Sequence, residues 1–558
     1  MQSRRGVLQR WSDRAASVDA ELTLAAAVLG AALAIGLATA SDYGLSVDEF
    51  NTDDYGPKAL AWYTSGFTDR SHFESVEFSL WYYGPWFQML TAWLQSFGFA
   101  DRVTIRHATT FVVGLAGVAA LLPMGRLAVG RWAGLTGVIL CLTTGYLYGS
   151  LFFTPIDVPF LSAMTWATTA ILVMTRHVMP SWRASVVTGL LTGLAIATRT
   201  GGIITHAYLF AAMALCVLEF WTRQRALPLR YLFAMAARYG TVVIIAWLTA
   251  IALWPWLQIG NPLEQFKTAL VHFANIPVSF EFSHWGERVW TDALPRSYIL
   301  GQLLARLPEG LLFLLVCALA AGIVSAIGSL REVAAQSRRD WRAGVASAAT
   351  LLARDRAILV VALAVVLPLG FLIIQSATIY DGVRHILFVV PMLAVIAGAG
   401  LRALLPFLRR VPLVSAAVAG AYVASVLITL AVLHPLEYVA MNVLAGGTRG
   451  AYDKFELDYW SVAATEALRT LEARLDYEAS TGAAEAPPRI VICIPWRESI
   501  VAPILRRPWI VETDPNKADF IIETQRSRCA ANQPVVLINE VKRFDRTFAW
   551  VYARQPEN

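Results

Sequence analysis

The sequence predicts an α-helical polytopic membrane protein carrying a small C-terminal α/β unit. Composition is the first reason: hydrophobic residues make up 57% of the 558 and charged residues 15%, with a mean hydropathy of +0.53, against about 25% charged in soluble domains. Recurrence is the second: apolar runs of bilayer length follow one another from residue 21 to residue 433. Beyond 434 those runs stop and charge becomes common, which sets off the C-terminal unit.

Eleven spans are expected, at 21–40, 104–124, 132–151, 158–175, 184–198, 203–221, 239–256, 309–328, 357–378, 386–405 and 412–433. The aromatic, proline-containing segment 81–98 is nearly apolar enough to be a twelfth. Charge assigns it to the interface instead. With residues 1–20 as a basic cytoplasmic N-terminus and 81–98 excluded, 21 of the 46 Lys and Arg residues fall in short inner segments, against 10 on the opposite face outside the tail. Counting 81–98 as a span puts several of these clusters outside, against the positive-inside rule. The net charge of +6 therefore reflects topology, and nucleic-acid binding is not expected. The first run is too long, and lacks the small-residue cleavage site, of a secretory signal.

This topology gathers the chemically suggestive segments on one face. The first outer loop (41–103), the turn at Asp157, the loop 257–308, the run Tyr380-Asp381-Gly382-Val383-Arg384-His385 and the unit 434–558 all fall outside. The inner segments are short and basic or, at 329–356, an arginine-rich linker. Asp48 and Glu49 stand side by side just after the first span, where a carboxylate is costly unless solvated or used. Asp53 and Asp54 follow and read as a solvated loop face.

In the tail, 489–494, 519–522 and 534–538 read as short buried strands and 461–478 has helical spacing, with an Ala-, Gly- and Pro-rich join at 479–488. Cys141, Cys216 and Cys317 lie in spans as small apolar packers. Cys493 and Cys529 lie in the exported tail, where a disulfide is chemically permitted.

Several motifs in order carry a resemblance: Ser46-Val47-Asp48-Glu49, Tyr83-Gly84-Pro85-Trp86, Thr154-Pro155-Ile156-Asp157-Val158-Pro159-Phe160, Ala197-Thr198-Arg199-Thr200-Gly201-Gly202, Asp381-Gly382-Val383-Arg384-His385, Gly446-Gly447-Thr448-Arg449-Gly450-Ala451 and Phe455-Glu456-Leu457-Asp458-Tyr459-Trp460. Over residues 20 to about 465 the chain resembles the bacterial polyprenyl-phosphate-dependent glycosyltransferases of the GT-C fold, relatives of protein O-mannosyltransferases and of lipid A aminoarabinose transferases. It departs from them in lacking His-Pro-Pro at 83–86 and in having Arg306 where relatives often have Lys.

The resemblance implies an inverting transfer of a sugar from a polyprenyl phosphate to an extracytoplasmic acceptor (protein, lipopolysaccharide or glycan) at the bacterial inner membrane. Asp48 is then the base, Glu49 orients the acceptor or tunes Asp48, and Asp157 is a second carboxylate. Asp157 reads equally well as a helix cap. For the donor phosphate the candidates are Arg384 with His385, Arg199 in its Thr-Arg-Thr-Gly-Gly turn, and Arg106. A guanidinium suits bidentate phosphate binding; snorkelling and local ion pairing are the alternative uses. Tyr298 and Trp285 are stacking platforms for a sugar or interface aromatics, and Tyr459 and Trp460 belong to a lid or to a brace for the tail.

The resemblance makes no cofactor certain, many relatives needing no metal. A divalent metal held by Asp48, Glu49, His72 and His284 is an open alternative, although no ligand spacing supports it. The rival functions are a flippase or transporter for lipid-linked sugars and a non-catalytic glycolipid-binding scaffold. Nearly uncharged spans, with carboxylates gathered at one face, speak against a transporter.

Overall fold

The computed structural model describes residues 19–74, 77–275, 278–375, 377–480, 487–494 and 501–555. The chain is a polytopic helical membrane protein with a C-terminal α/β unit. Among the described residues nine helices are long and apolar enough to cross a bilayer: Ala20–Thr39, Arg102–Ala128, Asp157–Met174, Thr200–Gln224, Leu229–Leu253, Glu309–Arg339, Arg356–Ile374, Arg384–Leu408 and Pro412–Leu433. Asp157–Met174 is the central one, with 89% of its apolar window buried by protein, while Ala20–Thr39 and Pro412–Leu433 are at the rim with 11% each.

Two of the eleven expected spans differ. The run 132–151 is two helices, Ala133–Leu142 and Gly145–Phe153, bent by 71°. At the break, Thr143 and Thr144 turn their hydroxyls back onto the carbonyls of Ile139 and Leu140 (2.8 and 2.7 Å), in competition with the helical ladder. The second half then leans on 437–440 through Gly145 and Gly149, where a Cβ would meet the Glu437 carbonyl and Tyr438. The run 184–198 is a 15-residue helix, Trp182–Ile196, packed on Leu229–Leu253. Gly189 and Gly193 make that approach possible: a Cβ on either would strike Ile245 or Ala246.

Segment 81–98 contains the ten-residue helix Trp86–Gln95, too short to span. The stretch 329–356 is helical, completing Glu309–Arg339 and forming Trp341–Arg354, and so is more than a linker. The loop 257–308 folds as helix Pro262–Ala274, an antiparallel hairpin of β1 (Glu281–His284) and β2 (Glu287–Trp290), and helix Tyr298–Arg306.

The C-terminal sheet comprises β3 (Arg489–Ile492), β4 (Ile510–Val511), β5 (Phe520–Thr524), β6 (Val535–Arg543) and β7 (Arg546–Arg554), in the order β4-β3-β5-β7-β6. Strands β4, β3 and β5 are parallel, whereas β7 runs antiparallel to both β5 and β6. Three strands were expected; β7 adds a hairpin whose two turn residues, Phe544 and Asp545, both have positive φ. Helix Ala463–Ser480 packs on the sheet, and Cys493 and Cys529 form a disulfide. The apolar runs end at 434, but the packing does not: Leu436, Tyr438, Leu457, Tyr459 and Trp460, and Ile490, Phe548 and Val551 of the C-terminal unit, share one core cluster with the helical bundle.

Candidate functional site

Asp48 lies in the short helix Val47–Thr52, which starts at a capping box. The Ser46 hydroxyl accepts from the Glu49 N–H at 3.2 Å and donates to the Phe153 carbonyl at 2.7 Å, while Glu49 accepts from the Ser46 N–H at 3.0 Å. The cap therefore ties this helix to the end of the broken span. Glu49 is fully buried, and its carboxylate also meets His107 Nε2 at 3.1 Å. His107 Nδ1 faces the Ala40 carbonyl at 3.0 Å and must carry a proton there. Glu49 thus holds the helix, its carboxylate shared between the cap and His107.

Asp53 departs from the sequence reading, whereas Arg106 takes the local ion pair that was the alternative to phosphate binding. Asp53 is buried, accepting from Arg106 and Arg102 at 2.9 Å each. Arg106 also donates to the Glu49 carbonyl at 2.9 Å. Arg106 is thereby a structural cation of the Asp48 helix, and Asp53 is not part of a solvated face.

Asp48 itself points the other way. Its side chain is 18% exposed and accepts from Arg384 Nη1 at 3.2 Å. Burial pushes its carboxyl up to about 6, with Arg384 opposing and Asp157 and Asp381 adding to the rise. The Arg384 guanidinium lies between the rings of Tyr380 and Trp460, at 4.7 and 4.6 Å. It stands 3.6 Å from Asp381 and donates from Nε to His385 Nε2 at 3.2 Å. His385 therefore carries its proton on Nδ1 and braces Arg384.

Asp157 opens its helix without capping it; its carboxylate instead pairs with Arg199 at 2.5 Å. Arg199 lies over the rings of Tyr83 and Phe160 (5.6 and 5.8 Å). Close approach of the loops places it there: a Cβ on Gly84 would overlap the Ala197 carbonyl, and Trp86 Nε1 donates to the Thr198 hydroxyl at 2.7 Å.

Tyr298 is buried and is no exposed stacking platform; its hydroxyl accepts from the Gly382 N–H at 3.2 Å. That contact fixes the turn in which Asp381 and Gly382 both have positive φ (59° and 71°). Tyr459 and Trp460 are buried too, packed as a brace would be. Asp458 anchors them by accepting from the Tyr438 hydroxyl and from the amides of Val462 and Ala463. Burial pushes the Asp458 carboxyl up to about 7, opposed by those bonds.

Sequence reasoning assigned no role to Asp381 and missed Arg526. Arg526 comes from the C-terminal unit and donates to Asp381 at 2.8 Å and to the Tyr459 carbonyl at 3.0 Å. Asp381 stood in a quoted motif; Arg526, 145 residues away, carried no signal. Arg306, noted only as a departure, is buried with its guanidinium 4.7 Å over Tyr146. Its Nε donates to Gln302, but its Nη1 has no partner. A cavity of about 560 Å³ opens beside it, lined also by Thr143, Glu309, Tyr422, Asn442 and Arg449.

The four candidate metal ligands do not converge. His72 packs against Trp62 and Phe73, and His284 takes a hydrogen bond from Gln302 at 3.1 Å. No group of three or more His, Cys, Asp or Glu side chains suited to a metal occurs among the described residues.

No protein-family model and no curated protein sequence matches the chain. Among solved structures it is similar to ArnT from Cupriavidus metallidurans bound to undecaprenyl phosphate, at 14% identity and a TM-score of 0.45, covering 96% of this chain and 99% of that one. It is also similar to the archaeal oligosaccharyltransferase AglB from Archaeoglobus fulgidus in complex with an inhibitory peptide and a dolichol-phosphate (12% identity, 89% and 69% covered, TM-score 0.39). A third is the mycobacterial arabinofuranosyltransferase AftD, at 12% identity, 95% and 40% coverage and a TM-score of 0.34.

Proposed function

We propose that the protein is an inner-membrane glycosyltransferase that moves a sugar from a polyprenyl phosphate to an extracytoplasmic acceptor with inversion. The observation that carries this reading is Asp48: a carboxylate with a pKa of about 6 at the loop end of the spans, paired with the half-buried Arg384. A base of that strength is ionised near neutrality yet still accepts a proton readily. The skew of basic residues toward the short loops at the other end supports an extracytoplasmic site and a cytoplasmic N-terminus.

In the reaction, Asp48 takes the acceptor's hydroxyl or amine proton as the acceptor atom bonds to the anomeric carbon. The bond from that carbon to the phosphate oxygen breaks, and its electron pair leaves with the polyprenyl phosphate. The departing negative charge needs a cation that is not already neutralised. Arg199 is paired with Asp157, Arg384 with Asp48 and Asp381, and Arg106 with Asp53. Arg306 keeps a buried Nη1 without a hydrogen-bond partner, and the residue lines a cavity; on that ground we assign it the donor phosphate. Arg384 and Arg199 then set the electrostatics of the two aspartates instead of gripping the donor.

The test uses the full chain in lipid nanodiscs with a panel of radiolabelled polyprenyl-phosphate sugars and envelope extract as acceptor. Asp48→Asn is expected to bind the donor as wild type does while losing about 10²–10⁴ in rate. Arg306→Gln is expected to bind it about 10–100-fold more weakly, the loss of a charge-assisted hydrogen bond. Donor binding by wild type and Asp48→Asn with no transfer by either would sink the enzyme reading in favour of a binding or transport role.

A further inference from the structure

We propose that Arg526, supplied by the C-terminal α/β unit, is a positioning residue for the Asp48 site, acting through Asp381 and Arg384. What the site does rests on the transferase reading above; the relay of contacts rests on geometry alone. Arg526, Asp381, Arg384 and Asp48 form an alternating row of charges with successive separations of 2.8, 3.6 and 3.2 Å. Only the first member comes from outside the helical bundle.

The arm that carries Arg526 is held at several points. Gln525 accepts from the amides of Leu457 and Asp458 (3.0 and 3.1 Å) and donates to the Tyr452 carbonyl at 3.2 Å. Glu523 accepts from the amides of Cys529 and Ala530 at 2.7 and 2.5 Å, and Cys529 is bonded to Cys493. The Arg526 guanidinium itself lies 4.8 Å over the Phe280 ring. Its partner Asp381 sits in a turn of positive φ pinned from the other side by Tyr298. The two halves of the chain thus grip one carboxylate between them.

A staple that merely joined the unit to the bundle would have no bearing on Asp48. Here Asp381 is shared between two guanidinium groups. Without Arg526 its charge falls on Arg384 alone, which is drawn away from Asp48, and a positive charge is lost from the site. Both changes favour protonated Asp48. The charged groups facing Asp48 are Arg384, Asp157 and Asp381; those facing Arg526 are Asp381, Glu456 and Arg384.

The experiment reads Asp48 directly, by infrared titration of its carboxyl band in full-length protein in nanodiscs, assigned by subtracting Asp48→Asn in each background. Arg526→Gln is expected to raise the midpoint by about one pH unit, the effect of one charge removed at second-neighbour range in a partly polar medium. Arg526→Lys should return it most of the way. Asp381→Asn should lower the midpoint, and in that background Arg526→Gln should raise it by clearly less than in wild type, because only the direct loss of one charge remains. A midpoint unchanged in Arg526→Gln overturns the proposal; where that variant does not fold, an unchanged midpoint in Asp381→Asn does so. The titration needs no turnover, so the two readings fail separately. A shift with no sugar transfer by any protein, wild type included, keeps the relay and removes the transferase; transfer without a shift does the reverse.

Discussion

Asp48 makes the pH dependence of the reaction a sharp prediction. Its carboxyl is pushed from 3.8 to about 6, mainly by burial. As the base it must be ionised, so kcat/KM should rise with pH through a midpoint near 6 and level off above 7. Between pH 7 and pH 5 the ionised fraction falls about tenfold, and the rate should fall with it. A carboxylate of ordinary pKa would leave the rate nearly flat over that interval. The assay is transfer from a radiolabelled polyprenyl-phosphate sugar in nanodiscs at subsaturating donor, because kcat/KM reports the free enzyme. The same displacement corresponds to about 3 kcal/mol against the ionised form. Its sign is set by a folded-state pKa above the unfolded value: stability is lost as pH rises from about 4 through about 6. Asp48→Asn, neutral throughout, should therefore unfold at higher temperature than wild type at pH 7.5 and show no such advantage at pH 4. An acid limb with its midpoint near 4, or an Asp48→Asn protein that keeps wild-type rates, would refute the assignment of Asp48 as a buried base.

Two further outcomes separate scaffold from site. Asp53→Ala leaves Arg106 buried without its carboxylate, at a cost of about 3–5 kcal/mol; thermal unfolding should register it, and removing Arg106 as well should recover part of the loss. A wild-type unfolding temperature in the single variant would show that the pair is not structural. Gly382→Ala puts a Cβ 2.9 Å from Arg306 Nε at a φ of 71°, and it should weaken donor binding about tenfold in a folded protein. Unchanged donor affinity would separate Arg306 from the phosphate.

The sequence by itself determined the membrane architecture and placed an acidic pair where the first span ends, and it predicts which way the loops face. These follow from quantities summed along the chain: apolar run length, the asymmetry of Arg and Lys, and acidic residues where a span ends. Its errors came where a run had the right composition and the wrong local chemistry. The run 132–151 bends by 71° at Thr143-Thr144, which its apolar composition does not register, and the strand 546–554 follows a hairpin turn that has no glycine. Which charges are occupied was decided by tertiary structure alone. Asp48 and Glu49 are adjacent, yet one enters the arginine cluster and the other is consumed by a cap and a buried histidine. Arg106 and Arg306 are both buried arginines, yet one is paired with Asp53 and the other keeps a buried Nη1 without a hydrogen-bond partner. Partners 53 to 336 residues apart leave no periodicity, and a guanidinium's role depends on whether a carboxylate arrives beside it when the chain folds.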